Sequence, residues 1–158
     1  MNPTTSPQEV ISEALRRLID RSTLASVPDL TESPRKAMAA SILGDRYFPY
    51  VVFQDLNTGK FVQFAGDQAQ PLLLDLPLQS LAPDEHNRAS GLFSNLGIHR
   101  PQETRLYSFP SGEPGELSRS YQLGFDRDVE AATSTTLDVF SVVFRIPAEA
   151  LQLDIEEE

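Results

Sequence analysis

Apolar residues recur at three-and-four spacing through Val10, Ile11, Ala14, Leu15, Leu18 and Ile19, while Glu13, Arg16, Arg17 and Asp20 fall on the other side. That pattern predicts an amphipathic helix that buries one stripe. Ser6 is placed to cap it, Pro7 suits the first helical position, and Glu9 stands three residues after the cap, as a capping box requires. After a connector containing Pro28, a second, shorter helix is expected from Ser33 to Leu43, carrying Ala37, Met38 and Ile42 and stopped by Gly44.

From Tyr47 the residue types turn to Tyr, Phe and Val, and the periodicity changes from helix to strand. Tyr47 to Asp55 and Lys60 to Ala65 read as an antiparallel pair around Asn57-Thr58-Gly59, where Gly59 supplies the positive φ of a bulged turn. Leu72 to Leu76 reads as a third strand, ended by Pro77. A helix then opens with Pro83, Asp84 and Glu85 and carries Ala89, Leu92, Phe93 and Leu96 before Gly97 stops it. Gly91 inside that helix implies a close approach of another group to its backbone.

Thr104 to Phe109 and Leu117 to Phe125 are two further expected strands, separated by a turn over Pro110 to Gly115. A last helix starts near Asp126 or Asp128 and presents Val129, Ala132, Thr136, Leu137, Phe140, Val143 and Phe144. Its many β-branched residues leave a strand from Leu137 to Ile146 as the alternative. The closing Asp154 to Glu158 run reads as a solvated acidic tail. The expected fold is α+β, an antiparallel five-stranded sheet with helices in the order α-(α)-β-β-β-α-β-β-α, in one domain over residues 1–158.

The hairpin is unusual in being apolar on both parities. Tyr47, Val51 and Phe53 share one side, and Phe48, Tyr50 and Val52 share the other. A sheet covered by helices on one face would leave the second face partly apolar and open to a partner. Tyr47, Val51, Phe53 and Phe61 are the candidate partner-binding residues, although a one-residue ambiguity of register at the turn leaves open which parity faces out.

Composition narrows the partner. The 158 residues are 40% hydrophobic and 23% charged, without an apolar run of spanning length, so no membrane partner is expected. The net charge is −10, which argues against binding a phosphate backbone and so against nucleic acid. All of that excess lies after residue 65: residues 1–65 hold seven acids and seven bases, and residues 66–158 hold sixteen acids and six bases. Cysteine is absent, which removes disulfides, thiolate metal sites and cysteine nucleophiles. The start, Met-Asn-Pro-Thr-Thr-Ser, has no signal-peptide pattern, and a cytoplasmic location is expected.

Candidate chemistry is sparse. His86 and His99 sit at opposite ends of a predicted helix, about 20 Å apart at ~1.5 Å per residue, too far to share a metal. Asp75 interrupts the run Leu72-Leu73-Leu74-Asp75-Leu76, and exposure or pairing with an arginine is the simpler account of it than catalysis. No phosphate-cradling glycine pattern and no nucleophile elbow occurs. No cofactor, metal or catalytic residue is assigned.

The segment Gly59-Lys60-Phe61-Val62-Gln63-Phe64-Ala65-Gly66-Asp67, the leucine strand after it and the helix ending Leu96-Gly97-Ile98 resemble the type III secretion chaperone and YbjN-like group, the TY-Chap domains. The similarity in residues covers Lys60 to Ile98, and the order of elements agrees outside it. The helix at Ser33 to Leu43 and the β-branched last helix depart from that group's pattern. The resemblance implies an α+β domain, often homodimeric, without cofactor or catalytic residues, that binds a peptide or protein client. A structural or regulatory homodimer, and a small hydrolase or transferase built on Asp75 or His86, stand as alternatives.

Overall fold

A computed structural model describes residues 6–21, 49–107 and 114–157. The second helix expected at Ser33 to Leu43, the first residues of the predicted hairpin including Tyr47, and the turn residues 110–113 lie outside them.

Helix α1 (Pro7–Ile19) begins at Ser6, whose Oγ accepts a hydrogen bond from the Glu9 N–H at 3.2 Å. Ile11, Ala14, Leu15 and Leu18 are its buried stripe, as their spacing predicts. Three strands follow in meander order, β1 (Tyr50–Asp55), β2 (Phe61–Ala65) and β3 (Leu73–Pro77). Gly59, at φ +76°, closes the first turn, where its N–H donates to the Asp55 carbonyl at 2.8 Å. In the second turn the buried Asp67 carboxylate accepts from the Ala69 and Gln70 N–H groups at 2.7 and 2.8 Å. The Arg127 guanidinium then ties that turn to the end of α1, donating to the carbonyls of Ile19, Asp67 and Gln68 at 2.8 to 3.1 Å.

Helix α2 (Pro83–Asn95) connects β3 to the hairpin of β4 (Gln102–Tyr107) and β5 (Pro114–Gly124). The Glu85 carboxylate accepts from the Ala82 N–H at 2.7 Å and from Lys60 Nζ at 2.9 Å, so a buried acid serves as both helix cap and ion-pair partner. Gly91 corrects an expectation: nothing lies within 4 Å of a Cβ placed there, and the residue is exposed. Gly91→Ala is therefore expected to raise the unfolding free energy by about 0.8–1 kcal/mol, the intrinsic helix preference of alanine, measured as a shift of the urea midpoint at constant slope.

Helix α3 (Val129–Asp138) is capped by the Asp128 carboxylate, which accepts from the Ala131 N–H at 3.0 Å. It continues as one π-helical turn over Val139–Val143. The strand alternative over Leu137 to Ile146 fails because Val139, Phe140 and Val143 are buried at helical spacing, and just before them the β-branched hydroxyls find partners that suit a helix. Thr136 Oγ1 donates to the Ala132 carbonyl at 2.7 Å, and Thr133 Oγ1 meets Ser12 Oγ of α1 at 3.0 Å. Arg88 of α2 secures the far end, its Nε donating to the Val143 carbonyl at 2.9 Å.

A sixth described strand, β6 (Leu153–Glu157), pairs antiparallel with β1. The described residues thus hold six strands where five were expected, and residues 154–157 of the expected solvated tail belong to a strand at the edge of the described sheet. The strand order is β4-β5-β3-β2-β1-β6, with every neighbouring pair antiparallel. An edge strand rich in carboxylates resists pairing with a further strand, so a strand in this position and an acidic tail look alike in composition.

Candidate functional site

Cross-strand partners share a face, so the register sorts the sheet residues into two sets. Val51, Phe64, Leu74 and Leu123 form a row on one face, and Phe53 opposite Val62 and Leu76 opposite Tyr121 extend it. These residues make one core with the buried stripes of α1, α2 and α3 and with Val139, Phe140 and Val143 of the π turn. Phe93 of α2 stacks on Tyr121 with ring centroids 4.7 Å apart and planes 7° from parallel. All three described helices therefore cover the same face.

The second face is built from the other parity. Val52, Gln63, Asp75 and Gln122 form its central row, flanked by Tyr50, Ala65, Leu73 and Gly124 on one side and by Gln54 opposite Phe61 on the other. Tyr50, Val52, Phe61 and Leu73 are half-buried, and none of them packs into the core cluster. At the centre Gln63 Nε2 donates to one Asp75 carboxylate oxygen at 2.7 Å and Gln122 Nε2 approaches the other at 3.4 Å. The neighbouring Ser120 hydroxyl lies 3.4 Å from the same Gln122 nitrogen. The result is a polar ladder across three strands with apolar side chains around it, on the face that none of the described helices covers, hereafter the open face.

The sequence candidates divide between the faces. Phe61 lies on the open face. Val51 and Phe53 are fully buried under the helices, so the expectation that they contact a partner is corrected: their parity is the one that the stripe of α1 covers. Tyr47 is outside the described residues. Sequence reasoning missed Tyr50, Val52, Leu73, Gln63 and Gln122. The signal for them was the single polar residue inside each of β2 and β3, since Gln63 and Asp75 mark the water-facing parity of their strands.

Among the described residues, the structure does not bring Asp75 and His86 together. Asp75 belongs to the open face, whereas His86 lies in the first turn of α2 on the covered side. His99 lies beyond the other end of α2, where its Nδ1 is 3.1 Å from the exposed Ser94 hydroxyl. Among the described residues no group of three or more His, Asp or Glu could hold a metal ion. The carboxyls with displaced titration are structural. Burial alone would raise Asp55, yet hydrogen bonds from Gln152, Thr58 and Asn57 together hold it below the ordinary carboxylate value. Asp84 is lowered by its hydrogen bond with Arg88 at 2.9 Å.

No family model, no curated protein and no solved structure matches this chain.

Proposed function

We propose that this chain is a non-enzymatic protein-binding module that takes a segment of a client protein on the open face of its sheet. One observation carries the reading: Val52, Phe61 and Leu73 are apolar, half-buried and outside the core, on a face to which no described helix contributes. Full burial of such a side chain contributes about 1.5–3 kcal/mol, so a few partly buried ones suffice to hold a segment. The resemblance of residues 60–98 to the secretion-chaperone group points the same way. The client is a protein rather than a nucleic acid because the chain carries a net charge of −10. No helix among the described residues is long and apolar enough to cross a membrane, and the reading places the module in the cytoplasm.

A photo-crosslinking amino acid substituted at Val52, at Phe61 and, as a control, at the exposed Glu13 of α1 tests this in living cells. A discrete adduct from positions 52 and 61 that is missing from position 13, with the captured chain identified by mass spectrometry, is the expected outcome. Equal labelling at all three positions, or none, would remove the open face as a binding site. An adduct with a second copy of the chain would favour the homodimeric alternative.

A further inference from the structure

The centre of the open face carries a charge that the sheet does not pair with a cation. Among the described residues, Asp75 receives hydrogen bonds from neutral amides in its row, Gln63 at 2.7 Å and Gln122 at the long distance of 3.4 Å. The described strand positions that share this face contain no lysine or arginine, and β6 adds two further carboxylates at its edge, Asp154 opposite Gln54 and Glu156 opposite Val52. A carboxylate offers about four acceptor positions, so the two amides orient Asp75 and leave acceptor capacity directed away from the sheet.

In the free chain, water solvates the exposed part of that carboxylate. A purely apolar segment laid over Val52, Phe61 and Leu73 would strip the water and leave a charge buried against neutral dipoles. That loss opposes the gain from the apolar contacts around it. A cation brought by the partner reverses the balance, since a hydrogen-bonded ion pair in a desolvated interface is among the contacts whose removal most weakens binding. A second copy of this chain is a poor occupant. A two-fold axis through the centre of the face would set Asp75 against its own equivalent.

We infer that the segment bound here presents a lysine or arginine among apolar residues and seats that cation on Asp75. The inference rests on the reading of this face as a client site and specifies the chemistry of the client. Asp75 is the specificity residue, held ready by Gln63 and Gln122, while Phe61, Val52 and Leu73 provide the apolar contact.

The test pans a random peptide library displayed on phage against the full chain, then measures the affinity of an enriched synthetic peptide for the wild type and for Asp75→Asn, Phe61→Ser and Glu13→Gln. Enriched peptides are expected to combine apolar residues with lysine or arginine. Asp75→Asn should weaken binding ~10-fold or more and flatten its salt dependence. Phe61→Ser should weaken it too, and Glu13→Gln on the opposite side should leave it unchanged. Replacing the peptide's lysine or arginine by glutamine probes the same contact on the unaltered protein, so the result does not depend on how well Asp75→Asn folds. Peptides that need Phe61 but carry no cation, or that bind Asp75→Asn equally well, overturn the inference and leave the binding face standing. No enrichment, or enrichment indifferent to Phe61→Ser, overturns both. Self-association that Phe61→Ser abolishes in sedimentation also overturns it, by naming a second copy as the occupant.

Discussion

Phe64→Ala is expected to lower the unfolding free energy by about 3–5 kcal/mol, whereas Phe61→Ala, three residues earlier on the same strand, should cost about 1 kcal/mol or less. Phe64 is 1% exposed and stands between Val51 and Leu74 in the sheet. Its ring meets Phe53 edge-on at 6.3 Å and Phe125 at 6.1 Å, so truncation removes two aromatic contacts and opens a cavity that rigid strands on both sides cannot close. Phe61 has the opposite parity and lies outside the core. Urea denaturation of the two variants reads the difference directly. The pair also separates stability from binding: Phe64→Ala should act on folding, and Phe61→Ala on the captured partner. Equal losses of stability would mean that both faces of β2 are packed, which would remove the open face on which the functional reading depends.

The elements built from one clear period were legible in the sequence. The spacing of Ile11, Ala14, Leu15 and Leu18 and the Ser6 cap define α1, and Asn57-Thr58-Gly59 defines the first hairpin. The facing of β1 was not, because its two parities carry nearly equal apolar content and each ends in a polar residue, Gln54 on the open side and Asp55 on the buried side. Asp55 misleads by composition, since a buried aspartate satisfied by local hydrogen bonds looks like any solvent-facing acid. The deciding information lies across strands, where Val52, Gln63, Asp75 and Gln122 align, and such alignment exists only once the register is known. β6 was hidden for a different reason. Its alternation of Leu153 and Ile155 with acids is short, and its core-facing residues are only half-buried, so charge outweighs pattern.

Asp55→Ala is expected to cost about 2–4 kcal/mol, a loss comparable with that of a core aromatic, and to loosen β6 more than any other strand. The Asp55 side chain sits where two connections meet. One carboxylate oxygen accepts from the Thr58 N–H at 3.0 Å and the Thr58 hydroxyl at 2.8 Å, which fixes the turn between β1 and β2. The other accepts from the Gln152 N–H at 3.1 Å, which fixes the entry to β6 beside the bond from the Leu56 N–H to the Gln152 carbonyl at 2.8 Å. Asp55 is 1% exposed, so truncation removes three hydrogen bonds at once, from the Thr58 N–H, the Thr58 hydroxyl and the Gln152 N–H, and leaves a gap in their place. Hydrogen exchange should show the amides of Asp154 to Glu156 losing protection while those of β2 keep theirs, because among the described strands β6 has a partner on one side only. The same carboxylate gives the chain an acid sensitivity. Desolvation pushes its titration up, but the hydrogen bonds from Gln152, Thr58 and Asn57 outweigh that and place it below the ordinary value in the folded state. A carboxyl depressed on folding contributes stability that is fully present above its unfolded pKa of about 4 and is lost as the pH falls through the folded value. The wild type should therefore lose melting temperature below about pH 4, and Asp55→Asn should have a lower plateau and a shallower acid decline. An unchanged decline in that variant would assign the acid sensitivity to other carboxylates, and unaltered exchange in β6 after Asp55→Ala would show that the Leu56 and ladder hydrogen bonds alone hold the strand.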